Sequence, residues 1–287
     1  MMYAKKYDVG FEMFADLRIY EWGCSENLVK SGDGSRGPGP SLSRLGEYQE
    51  APRVDDVNFA KISIDSACVM LDIGRSLHGL GKYDEAIQSF ERALMITQQM
   101  VPANQLQSAR IIAAISAVLL TKNDIKKSLR KCELALEIQE SILGTNHISS
   151  AGFIHLLGVI LHRKGQYHEA LRQFERALSI YEIIFGEGDI KSANTIDAMG
   201  LSCLHLGRCR EALEHFKWEL RITKNAFAKQ HIKTAGAIFN IGASYLFMGR
   251  PDEALEQYER AMKIYAAKLC KDHKDEGICK IPAMTRC

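Results

Sequence analysis

Apolar residues recur along this chain in two alternating helical stripes. In the first stripe, Ile154, Leu157 and Leu161 stand at i, i+3 and i+7, as Ile112, Ile115 and Leu119 do earlier in the chain. That spacing places them on one face of an α-helix. The second stripe carries Ala170, Phe174, Ala177 and Ile180, with counterparts Ala86, Phe90, Ala93 and Ile96, and again Ala254, Tyr258, Ala261 and Ile264. Between the stripes the pattern breaks at Gly81, Asn123, Gly165, Gly207 and Gly249. Glycine or asparagine there is a helix C-terminal signal. Glu85, Glu169, Glu211 and Glu253 then open the second helix, where the helix dipole favours negative charge. The pattern predicts helix, tight turn, helix.

This unit repeats. Ser66-Ala67 recurs as Ser108-Ala109, Ser150-Ala151, Ser192-Ala193 and Thr234-Ala235, every step being 42 residues without insertion. Five repeats follow: 66–107, 108–149, 150–191, 192–233 and 234–275. A small residue lies within each first helix, at Gly74, Ser116, Gly158, Gly200 and Gly242. It lets the second helix approach closely, with an aromatic such as Phe90 filling the gap. One hairpin is too small to bury its own apolar face, so neighbours must stack.

The residues Leu157-Gly158, Gly165-x-Tyr167, Ala170, Phe174 and Ala177 resemble the tetratricopeptide repeat (TPR). That repeat usually runs to about 34 residues; the longer period here resembles the variant typified by kinesin light chain and nephrocystin-3. The loop Leu143-Gly144-Thr145-Asn146-His147 is similar to that variant's inter-repeat loop. Phe185-Gly186-Glu187-Gly188-Asp189 is a looser copy, and His231 and His273 fall in register with His147. The resemblance covers about residues 60–275. It implies an all-α fold, a right-handed α-solenoid of TPR helix-turn-helix repeats. The chain departs from the pattern in several places. Leu106, Ile148, Ile190 and Ile232 replace a proline, and Asn240 is the clear survivor of the asparagines usual on the first helix. Ser128 and Cys132 stand for Ala and Phe in the second repeat, and Glu219 for an alanine in the fourth.

The resemblance also implies a concave groove lined by the first helices, open to a peptide or a helix. Carried over by register, its residues are Arg75, His78, Arg110, His155, Val159, His162, Asn194, Asp197 and Leu201, with Arg163 and His205 at the margin and Asn240 beside them. Apart from Asp197 the charge leans positive, which favours an acidic ligand, and Val159 and Leu201 offer room for an apolar anchor. The expected function is a non-catalytic protein-protein interaction scaffold or adaptor in the cytoplasm. Two other readings stand beside it. One is a kinesin light chain-like cargo adaptor, bound to kinesin heavy chain. The other is the sensor or scaffold portion of a larger signalling NTPase or enzyme.

Composition narrows the field. A formal charge of +2 over 287 residues is far from the basic balance of a nucleic-acid binder. No stretch reaches the roughly 20 apolar residues of a membrane span, and the first residues lack the apolar run of a secretory signal. Cysteines at 24, 68, 132, 203, 209, 270, 279 and 287 form no CxxC pair and no zinc-finger spacing with histidine. They read as reduced thiols, with no metal and no cofactor expected. No HExxH, GxSxG or Walker loop occurs, so no enzyme is expected. The GxGxxG at Gly32, Gly34 and Gly37 lies in a Gly/Pro/Ser linker followed by Pro38 and Pro40, without the strand a phosphate loop requires. Lys122, Lys126, Lys127, Arg130 and Lys131 read as a solvated basic face in preference to a site for an acidic surface, phospholipid or RNA.

The ends are expected to differ from the array. Residues 1–44 form a poorly ordered segment and linker, 45–65 a degenerate repeat or cap, and 276–287 a tail. That tail is too short to cover the final helix, leaving Tyr258, Met262 and Tyr265 partly exposed for self-association or for a continuation of the chain.

Overall fold

The computed structural model describes residues 64–99, 105–227 and 231–272. The segment 1–44, the assigned cap at 45–65 up to Ser63, His273 and the tail 276–287 lie outside them. Every described element is an α-helix: α1 (Ile64–Gly79), α2 (Tyr83–Gln99), α3 (Gln105–Thr121), α4 (Ile125–Leu143), α5 (Ile148–Arg163), α6 (Tyr167–Phe185), α7 (Ile190–His205), α8 (Cys209–Ala226), α9 (Ile232–Phe247) and α10 (Pro251–Asp272). The architecture is all-α, a series of helix-turn-helix hairpins as the stripes predict.

Each first helix is closed by the breaking residue. Gly81, Gly165, Gly207 and Gly249 have φ between 73° and 83°, and Asn123 has 61°. This left-handed conformation suits glycine and is tolerated by asparagine. The backbone then folds back on itself. Gly81 donates to the His78 carbonyl and Lys82 to Leu77, and the same pair of bonds recurs from Asn123 and Asp124, Gly207 and Arg208, and Gly249 and Arg250. Orphan carbonyls of the first helix are thus satisfied within three residues of chain.

In three of the first helices the small residue is a packing requirement. A Cβ added at Gly74 would lie 2.4 Å from Phe90 Cε1, at Gly200 2.6 Å from Phe216 Cε1, and at Gly242 2.8 Å from Tyr258 Cε1. The second repeat solves the same contact differently. Ser116 and Ser128 each donate their hydroxyl to the other's backbone carbonyl at 2.8 Å, and Cys132 is buried where the aromatic would be.

The helices gather into two compact units, one ending at Lys164 and one starting at Gly165. In the first, the buried Phe90 clusters with Leu71, Ala86, Ala93, Ile111, Ile115 and Val118, so α1, α2 and α3 share one core. The hairpin of one repeat is therefore sealed by the first helix of the next, and burying one such aromatic contributes about 2 kcal/mol. In the second unit Phe174, Phe216 and Tyr181 are fully buried side chains.

Candidate functional site

Successive first helices touch within each unit: α1 with α3, α3 with α5, and α7 with α9. Side-chain hydrogen bonds cross these contacts. His78 Nε2 lies 3.1 Å from Thr121 Oγ1, and Asn240 Nδ2 donates to Asp197 Oδ1 at 2.6 Å. Both pairs are 43 residues apart, so a position in one repeat meets the next position in its neighbour. The two pairs occupy places seven residues apart in the repeat, about two turns along the same helical face.

The sequence-assigned groove residues separate into three groups. His78, Asp197 and Asn240 are buried, at 7%, 5% and 7% exposure, and knit neighbouring first helices together. Arg75, Arg110, His155, Val159, His162, Arg163, Asn194 and Leu201 are half-buried. Arg75 reaches Asp72 at 3.3 Å, one turn before it on the same helix. His205 is exposed and stacks flat on Tyr167, ring centroids 4.8 Å apart.

Burial changes the charge of this set. It pulls the His78 imidazole down to about 4. Desolvation does the same to His155, also to about 4. Both rings are neutral at pH 7, because loss of water disfavours the charged form. In the first unit the positive charge assigned to the first helices therefore comes from Arg75, Arg110 and Arg163.

The basic cluster is partly neutralised at the surface. Lys122 pairs with Asp84, and Lys127 with Asp124 at 3.0 Å, a contact that lowers the Asp124 carboxyl below its usual range.

Some roles were missed in the sequence. His147 and His231 accept backbone N–H bonds through Nδ1 from Ser149 and Lys233, at 3.1 and 3.2 Å, and Asp189 Oδ1 accepts from Lys191 at 2.8 Å. The loop motif is thus a set of N-caps, and their register with one another was the signal that could have shown it. Ile148, Ile190 and Ile232 are the first helical residues after these caps, a place where proline is also at home. Cys203, Glu211 and His215, not grouped by the sequence, bring one donor atom each within 4.8 Å of one another.

Residues 107–183, 149–225 and 192–267 match a tetratricopeptide repeat family model, and residues 69–100 match another; together they cover more than half the chain. The chain belongs to the tetratricopeptide repeat family. Solved TPR-like structures resemble it in fold. BtubC (BKLC) from P. vanneervenii matches with TM-score 0.64 and 17% identity, covering 86% of this chain and 92% of that one. A Podosopora anserina putative kinesin light chain with nearly identical TPR-like repeats gives 0.61 and 16%, covering 72% and 98%. A Rap protein complexed with competence and sporulation factor gives 0.60 and 18%, covering 72% and 55%. No curated protein matches the sequence. The matching families are repeat families, of a fold that is generally an interaction scaffold. Among the described residues, no helix is long and apolar enough to cross a membrane.

Proposed function

We propose that the chain is a non-catalytic scaffold whose first helices hold a peptide or helix of acidic character. The observation that carries this reading is the arrangement of α1, α3 and α5. They lie side by side in one unit and bear Arg75, Arg110 and Arg163 at half-buried positions. Guanidinium groups recognise carboxylates with two parallel hydrogen bonds, and partial burial raises the strength of each bond above its value in water. Val159 on α5 supplies half-buried apolar surface in the same unit, and Leu201 on α7 supplies it in the second. The buried bonds between first helices hold the face rigid, which lowers the ordering cost of binding.

The test is fluorescence anisotropy with labelled glutamate-rich and lysine-rich peptides of matched length. The native chain is expected to prefer the acidic set. Replacing Arg75, Arg110 and Arg163 together by Glu should weaken that binding at least about tenfold. Equal affinity in native and triple-variant proteins would overturn the placement.

A second reading is a cargo adaptor bound to kinesin heavy chain. It is favoured by the gapless 42-residue period and by capping loops of the kinesin light chain type. Purified heavy chain mixed with this protein should then co-elute with it in size-exclusion chromatography; separate elution removes that reading.

A further inference from the structure

The fourth repeat departs from its siblings at two positions that meet in space. Where it has Cys203, the other repeats carry Leu77, Leu119, Leu161 and Tyr245. Where it has His215, they carry Ser89, Lys131, Gln173 and Gln257. Both departures converge on Glu211, a position that is also Glu in the first, third and fifth repeats. Cys203 sits in the last turn of α7, while Glu211 and His215 are one helical turn apart on α8, on one face.

Cys203 Sγ lies 3.6 Å from Glu211 Oε1, and His215 Nε2 lies 4.0 Å from the same oxygen. Ligands held at about 2.0–2.3 Å around tetrahedral zinc stand roughly 3.3–3.8 Å from one another, so only small side-chain shifts separate this arrangement from a coordination shell. The thiol is fully buried, the imidazole side chain is 15% exposed and the carboxylate 43%, which grades the site from core to solvent. A shallow cleft bordered by Gly207, Arg208, Cys209, Glu211 and Met248 gives an entry route at the carboxylate.

We propose that Cys203, Glu211 and His215 form a zinc site, with three protein ligands and water in the fourth position. A thiol, an imidazole and a carboxylate together suit this borderline cation better than calcium or magnesium, which take oxygen ligands. Arg208 lies 2.6 Å from Glu211 Oε2 and also donates to Oε1 at 2.8 Å, so a metal bound through Oε1 would shift this guanidinium onto Oε2 alone. Glu175 on α6 adds negative charge felt by both Cys203 and His215. Coordination forms the Zn–S bond, and the thiol proton leaves to solvent.

The experiment uses the full chain, purified in chelator and titrated with Zn2+ against a chromophoric competitor and, separately, with Co2+. The expected result is one equivalent of metal and a thiolate-to-cobalt charge-transfer band. Cys203→Ala should abolish the band and weaken Zn2+ binding at least about tenfold. His215→Gln, at a more exposed position, should weaken binding similarly while circular dichroism stays native. Cys68→Ser, an exposed thiol on α1 outside this cleft, should leave both readouts unchanged. No bound metal, no charge-transfer band, or undiminished affinity in the Cys203→Ala protein would each overturn the site.

Discussion

At the residue scale, three different loops arrive at one bond. His147, Asp189 and His231 stand 42 residues apart, and each turns its side chain back to accept the N–H two residues on. Each thereby satisfies one of the four unpaired donors that open α5, α7 and α9. Removing an N-cap typically costs about 1 kcal/mol. Asp189→Ala should therefore lower the unfolding free energy by about that amount, read by urea denaturation, with Asp189→Asn close to native. A loss equal for Ala and Asn would show that charge near the helix end matters more than the bond. The Asp197–Asn240 pair is a harsher case, because both groups are buried. Asn240→Leu should cost roughly 1–3 kcal/mol, since a buried acceptor loses a donor. Adding Asp197→Leu should recover part of that loss, an interaction energy that a double-mutant cycle measures.

At the element scale, the hairpins show which parts of the packing are interchangeable. Gly74, Gly200 and Gly242 are each set under an aromatic ring, whereas Ser116 is set against Ser128 with Cys132 beside them. The glycine and the aromatic therefore change together: a larger residue on the first helix is matched by a smaller one on the second. Cys132→Phe alone should bring a ring against the Ser116 side chain and cost about 2 kcal/mol through overpacking. Ser116→Gly in the same chain should restore the geometry of the other repeats and return at least about 1 kcal/mol. Thermal and urea unfolding of the two single variants and the double variant test this coupling, and additive effects would refute it. In the sequence alone, Ser128 and Cys132 are departures from the pattern in the second repeat. The compensation was not visible there, because it runs between two helices and joins hydroxyls to backbone carbonyls.

At the scale of the whole molecule, what was legible followed from periodicity. Turn residues at equal spacing placed the ends of all five first helices on one register, because Gly and Asn accept the positive φ that ends a helix. Burial across neighbouring repeats was less legible. His78, Asp197 and Asn240 were assigned to an open face by register, yet each lies where one first helix meets the next. Polar residues at such contacts look like surface residues in a single sequence, since nothing local records the partner helix. That burial has a consequence for the stability of the chain as a whole. His78 and His155 have native pKa values of about 4, below the ordinary value of 6.5. Well above pH 6.5 both are neutral in either state and stability does not depend on them. As the pH falls below 6.5 the unfolded chain takes up protons that the folded chain refuses, so folding weakens until about pH 4, where the native rings also titrate. For the well-buried His78 alone the slope approaches about 1 kcal/mol per pH unit. His78→Gln should keep a bond to Thr121 while removing the titration. Its unfolding free energy, measured between about pH 7 and pH 5 and compared with the native chain, should fall less steeply. Parallel curves for the two proteins would mean that the imidazole is not shielded from water and that the contact between α1 and α3 opens in solution.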